Sequence, residues 1–135
     1  MRVVVDTNVV VSGMLSGASA PAEVLQLILQ GELQLLLDSR IVAEYDEVTI
    51  RPRFGFHPVE RRALLNTLRS VAEDVVAAPF VGGLPDPDDR MFVEVALGGR
   101  GDVIVTGNVR HFPLGRSRLG FAILTPRQLI ERLRG

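Results

Sequence analysis

The run Arg2-Val3-Val4-Val5 leading straight into Asp6 constrains this chain more than any other feature. Successive β-branched residues with no polar residue alternating between them describe a parallel strand covered on both faces. Such strands belong to a central sheet flanked by helices. Residues 33–38 (LQLLLD) repeat the pattern of an apolar run that ends on an acid, and 102–106 (DVIVT) and 121–124 (FAIL) supply two more strands. Helical patterns fall between them: Ala20 to Gln30 with a stop at Gly31, Ser39 to Ile50 before an Arg-Pro-Arg break, and Pro58 to Val76 with a short strand at its end. A further helix runs from near Asp88 through MFVEVAL (91–97), and Pro126 to Leu133 closes the chain. VVVSGML (9–15) fits strand or helix by periodicity alone, and the Gly- and Pro-rich PFVGGLPDP (79–87) reads as loop. Strand and helix in alternation predict an α/β fold of one domain, residues 1–135, around a mostly parallel sheet.

Composition excludes several chemistries. There is no cysteine, so disulfides, zinc-thiolate sites and cysteine nucleophiles are ruled out, and His57 and His111 are too few for a His-rich metal site. No apolar run reaches the roughly 18 residues that cross a bilayer, and Met-Arg-Val is not a secretory start. The expected location is the cytoplasm. The net charge of −1 divides unevenly: residues 1–99 hold eight Arg and fourteen acids, residues 100–135 seven Arg and two acids. All fifteen cations are Arg. Codon bias and a solvated surface explain that as readily as a site for oxyanions, although Arg suits phosphate better than Lys does.

In a parallel sheet, ligands bind where the carboxyl ends of the strands converge. Asp6 ends the first strand at such a position, where it can serve as a catalytic acid or as an ordinary N-cap. In SRIVAEYDEVT, a buried stripe of Ile41, Val42, Tyr45 and Val48 puts Glu44 about 90° from the stripe centre, Asp46 about 110° and Glu47 about 150°. Glu44 therefore borders the core, either as a boundary carboxylate near an Arg or pointing into a crevice. In PDPDDRMFVEVAL, Asp86 as N-cap before Pro87 and Asp88 in the first turn have local explanations. Asp89 has none; it shares a helix face with Phe92 and Ala96 and tilts toward the interior.

Carboxylates drawn together repel, so a group of them needs protons or a cation. With oxygen donors alone, the fitting ions are Mg²⁺ or Mn²⁺. Two such ions about 4 Å apart activate water and stabilise the leaving oxygen of a phosphodiester. The acids thus favour phosphoryl chemistry. A dinucleotide-binding reading fails, because Asp6-Thr7-Asn8 stands where a glycine-rich turn belongs, and an aspartyl-phosphate enzyme would want Asp in place of Asn8.

RVVVDTNVVVSG, Glu44 in SRIVAEYDEV, DPDDRMFVEVAL and DVIVTGNVRHF, in that order, resemble the PIN domain, in particular the small single-domain proteins akin to VapC toxins of prokaryotic toxin-antitoxin pairs. The resemblance implies a three-layer α/β/α fold with about five strands and a Mg²⁺ or Mn²⁺ site that cleaves RNA. It assigns Asp6, Glu44 and Asp89 as metal-site acids, with Asn8 orienting Asp6 and with Ser12 and Thr106 as supporting hydroxyls. The fourth position falls at Asn108, where many relatives carry Asp. Asn108 can hydrogen-bond a water but supplies no charge, and Asp88 or Asp102 are the spare acids, Asp102 at the far end of its strand. The resemblance also implies a homodimer and a small antitoxin partner; VVVSGML and LQLILQ (25–30) offer either a dimer surface or core.

Arg110, Arg116 and Arg118 follow the site strand and are candidates for RNA phosphate contacts, against an ordinary surface charge. His111 beside Phe112 can be a general acid or a plain loop residue, the plain reading being preferred, and the scarcity of aromatics gives no support for base stacking. The rival to a ribonuclease is a PIN-fold module that has lost activity and binds RNA or protein, a reading fed by Asn108.

Overall fold

The computed structural model describes residues 1–114 and 119–135. Five strands, β1 (Arg2–Val5), β2 (Gln34–Leu37), β3 (Glu73–Asp74), β4 (Val103–Val105) and β5 (Ala122–Leu124), form one sheet in the order β3-β2-β1-β4-β5. Every pairing is parallel, with Val3 opposite both Leu35 and Val103. The helices are α1 (Thr7–Leu15), α2 (Ala20–Leu29), α3 (Ser39–Thr49), α4 (Pro58–Val71), α5 (Arg90–Gly98) and α6 (Pro126–Arg134), with short 3-10 turns at Pro52–Phe54, Pro87–Asp89 and Val109–His111.

The central strands show why the sheet must be sandwiched. Val3, Val4 and Val5, Leu35, Leu36 and Leu37, and Val103, Ile104 and Val105 are all buried, although successive side chains point to opposite faces. Both faces are therefore covered, which is the α/β/α arrangement. α5 lies against β1, β2 and β4, and α2 packs with α1, α4 and α6.

The ambiguous VVVSGML segment is helix. β1 already has β2 and β4 as neighbours, so the chain turns into α1 directly after Asp6 and sends Val9, Val10 and Val11 into the core. α2 buries Val24, Leu25 and Ile28. The apolar residues of both segments are thus largely spent on the core of this chain, and the dimer surface expected from them is reduced to exposed Leu15 and the half-buried Met14, Leu27 and Leu29. α3 buries Ile41, Tyr45 and Thr49, while Val42 and Val48 are half-buried. The stripe is shifted because Thr49 is held in the interior, its hydroxyl donating to the Tyr45 carbonyl at 2.6 Å and accepting from Arg61 at 3.2 Å. Arg61, itself buried, also reaches Asp46 at 2.8 Å and so joins α4 to α3.

The strand order reverses beside β1. The chain builds outward from β1 to β2 and β3, then α5 carries it back to β4 and β5 on the other side. The carboxyl ends of β1 and β4 are therefore the switch point of the sheet, the place where a crevice opens in folds of this kind.

Candidate active site

Asp6 leaves β1 at this switch point. It occupies the N-cap position of α1 in an extended conformation, yet its side chain makes no capping hydrogen bond. The carboxylate is spent across the switch point instead: Thr106 Oγ1, after β4, donates to Asp6 Oδ2 at 2.8 Å, and Asn8 Nδ2 donates to the same oxygen at 3.2 Å. Asn8 is oriented in turn by the Gly107 amide, which donates to its Oδ1 at 3.0 Å. A Cβ on Gly107 would lie 3.2 Å from that oxygen, so a glycine lets the backbone approach this closely. Burial pushes the Asp6 carboxyl above its usual range, and the Thr106 hydroxyl works against that shift.

Glu44 comes from the second turn of α3. Its neighbour Tyr45 fixes that helix, because the buried Tyr45 hydroxyl donates to the Val5 carbonyl at the end of β1. Glu44 is left half-buried, accepting from the Thr7 hydroxyl. Its pKa is also raised, first by burial and then by the charges of Asp6 and Asp88, with the Thr7 bond opposing.

Asp89 sits where the Pro87–Asp89 turn passes into α5. Asp86 caps that turn by accepting from the Asp88 amide at 2.9 Å. Asp89 is not needed for the cap and is 8% exposed, and its Oδ2 is buried without a hydrogen-bond partner among the described residues. Burial and the charges of Asp6 and Asp86 raise its pKa from 3.8 to about 6. The His111 ring stands beside it, its Nδ1 3.8 Å from Asp89 Oδ2, too far for a hydrogen bond.

These three acids, from three separate elements, line one open crevice of about 450 Å³ together with Asn8, Ser12 and His111. Each is pushed toward protonation by its surroundings. That is the electrostatic condition of a place that lacks a positive charge. The donors are carboxylate oxygens, which suit a hard divalent cation. As the side chains stand, no three Asp, Glu or His groups among the described residues are gathered closely enough to enclose an ion. The donor chemistry and the charge fit a hard divalent cation, and the orphaned Asp89 oxygen is the sharpest sign of that fit.

The sequence matches the family model of the PIN domain over residues 2–110. The chain belongs to the PIN domain family. The fold is also similar to that of a chain in the crystal structure of VapBC2 from Rickettsia felis bound to a DNA fragment from their promoter. The TM-score is 0.56 at 13% identity, covering 92% of this chain and 98% of that one. No curated protein matches in sequence.

Within this PIN domain the other expected site residues are scattered. Asn108 caps the Val109–His111 turn, its Oδ1 accepting from the Arg110 amide at 3.1 Å, and its Nδ2 lies 3.1 Å from His111 Nε2. Its side chain is thus taken up by its own turn and does not line the crevice. Asp88 is exposed and also off the crevice wall. Asp102 lies at the opposite end of the sheet, accepting from the Arg2 amide at 2.8 Å, and so cannot replace a fourth acid. Arg110 is exposed on the turn; Arg116 and Arg118 lie outside the described residues.

Several crevice residues were not legible beforehand. His111, left open between a general acid and a loop residue, lines the crevice beside Asp89 and lies against Asn108. Asp86 joins the acids, and Thr7 holds Glu44. Arg53 and Phe54, from what the sequence shows only as a break between helices, form part of the wall. The signal for Thr7 was its place between Asp6 and Asn8; for Arg53 there was none.

Proposed function

We propose that this PIN domain is a divalent-metal-dependent endoribonuclease, hydrolysing phosphodiesters in single-stranded or loop RNA. The observation that carries the reading is the convergence of Asp6, Glu44 and Asp89 at the sheet's switch point, all with raised pKa and one with a buried oxygen that nothing satisfies. Asp6, Glu44 and Asp89 would hold Mg²⁺ or Mn²⁺. When bound, such an ion supplies Lewis acidity for water activation and neutralises phosphate charge.

The chain's own residues prepare that site. Thr106 and Asn8 fix the Asp6 carboxylate, Thr7 fixes Glu44, and the Tyr45 bond to Val5 sets how far α3 stands from β1. His111, beside Asp89, is positioned to exchange a proton at the rim. Arg110, and beyond the described residues Arg116 and Arg118, would contact RNA phosphates.

The biological setting we propose is the toxin of a toxin-antitoxin pair, acting in the cytoplasm. The likeness of fold to a chain of the VapBC2 structure supports it, as does the resemblance of the four motifs to VapC toxins. A small antitoxin would then be the protein partner. A homodimer belongs to the same proposal and rests on the family resemblance. No described helix is long and apolar enough to cross a membrane.

The second reading, an inactive PIN-fold binding module, draws on Asn108 being committed to its own turn. One experiment separates the two. Mn²⁺ is titrated calorimetrically into the purified protein and into Asp6→Asn and Asp89→Asn, with a structured RNA pool incubated in parallel. Metal binding lost in the variants, with cleavage only in metal, supports the nuclease. Equal cleavage by the variants at matched metal would sink the site assignment, and no binding or cleavage even with RNA would favour the module.

A further inference from the structure

The crevice lining is of two kinds. Four of its residues are acids, Asp6, Glu44, Asp86 and Asp89; it also carries Arg53 and the apolar Val11, Leu15 and Val48. Among the described residues Arg53 is the one arginine that lines the crevice. It is exposed, and no described carboxylate lies within ion-pair distance of it, whereas Arg51 beside it is paired with Glu47 at 3.7 Å.

Arg53 is also held in place. Its guanidinium carbon lies 4.7 Å from the centre of the Phe54 ring, and Phe54 stacks on Phe56 with centroids 5.7 Å apart and planes 17° apart. The Pro52–Phe54 turn ends at Gly55 with φ of +62°, a conformation that favours glycine and turns the chain sharply enough for the two rings to meet. Cation–π contact fixes the position of a guanidinium without using its donors. The forked N–H groups therefore stay available. In the same lining Leu15, at the end of α1, is 57% exposed, an apolar surface that the described residues leave largely uncovered.

We propose that Arg53 binds a backbone phosphate of the RNA next to the cleaved bond, while Leu15 and the half-buried Val48 receive the unpaired base of the same nucleotide. The inference rests on the nuclease reading and names the substrate wall of that site. A guanidinium in the same crevice as an acid cluster suits an anionic strand that must approach carboxylates, since it offsets their repulsion. An apolar strip in the same crevice can take a base only when that base is unpaired and free to turn away from a partner strand. The wall thus selects single-stranded over duplex RNA.

The test uses Asp6→Asn as a non-cleaving parent and measures binding of a fluorescein-labelled single-stranded RNA oligonucleotide, and of its duplex, by anisotropy across a salt series. Arg53→Gln is expected to weaken single-strand binding at least tenfold and to reduce the log–log salt slope by about 0.7, the loss of one phosphate contact. Arg53→Lys should recover most of the slope. Leu15→Ser should weaken single-strand binding a few-fold with the slope intact and leave duplex binding, already weak, unchanged. Arg62→Gln, an equal charge loss on α4 outside the crevice, sets the baseline. An Arg53→Gln effect no larger than that of Arg62→Gln overturns the proposal, as does equal loss of single-strand and duplex affinity in Leu15→Ser. In the cleaving background, RNA hydrolysis with KM unmoved by Arg53→Gln overturns this inference while the nuclease stands. Absence of any hydrolysis, with Arg53-dependent single-strand binding retained, removes the nuclease and leaves the binding wall.

Discussion

The Tyr45 hydroxyl donates to the carbonyl of Val5, so the last residue of β1 and the residue next to Glu44 are tied together inside the core. Asp6 follows Val5 and Glu44 precedes Tyr45; one buried hydrogen bond thereby sets the spacing of two acids that are far apart in sequence. Desolvation pushes the Tyr45 phenol well above its usual pKa, so it stays a donor throughout the useful pH range.

Tyr45→Phe removes that donor and leaves a buried carbonyl unsatisfied, at a cost of about 1–3 kcal/mol. The melting temperature is expected to fall by about 3–10 °C in a thermal scan. Cleavage should fall as well, more than in a variant of equal stability loss placed elsewhere in the core. Unchanged activity would mean that Glu44 does not depend on this tie.

Asp89 should make the metal-free protein less stable at neutral pH. Its folded pKa is raised from 3.8 to about 6, so the folded state holds its proton more tightly than the unfolded chain. The stability this contributes is complete below pH 3.8 and is lost as pH rises through about 6. The loss amounts to about 3 kcal/mol at most. In EDTA, urea denaturation should find Asp89→Asn more stable than the parent at pH 7.5, with the difference shrinking toward pH 4.5. A variant less stable than the parent at pH 7.5 would contradict the unmet charge at this position.

Thr106 is fully buried, and its hydroxyl is the largest of the groups that offset the cost of burial on Asp6. Thr106→Val preserves the shape and removes the donor. The Asp6 pKa should rise further, moving the acid limb of the pH–rate profile upward, and Mn²⁺ affinity should fall about tenfold, as for other groups that support a metal ligand. Calorimetry and a pH–rate series check the two effects separately.

Asn108 and Asp102 should matter less than Asp6. Asn108→Ala deletes a cap of the Val109–His111 turn and releases His111, and a loss of cleavage under tenfold is expected. Asp102→Asn, at the other end of the sheet, should leave cleavage within twofold of the parent. Assays at matched metal concentration against Asp6→Asn decide both; a loss in Asp102→Asn as deep as in Asp6→Asn would place the site elsewhere.

Much of this molecule was written locally. The unbroken apolar runs at 3–5, 35–37 and 103–105 read as strands covered on both sides, because any exposed face would leave several valines or leucines in water. Asp86 before Pro87 marked a helix entry by local chemistry, and Asp89 stood out as the acid that entry did not need. Asp6 and Glu44 were visible as border residues, with their partners unknown.

The sequence by itself determined the α/β class, the positions of the strands, and which acids lacked a local purpose, since all of these follow from periodicity and capping within a few residues. Tertiary structure alone decided that VVVSGML becomes a helix, that the Asn108 side chain is taken up by its own turn, and that Arg53 and His111 line the same crevice as the acids. Each of these depends on contacts between segments distant along the chain, such as β1 with β2 and β4, or Asp89 with His111. Local propensity carries no record of which distant surface a residue will meet, so only the closed sheet and its crevice could assign them.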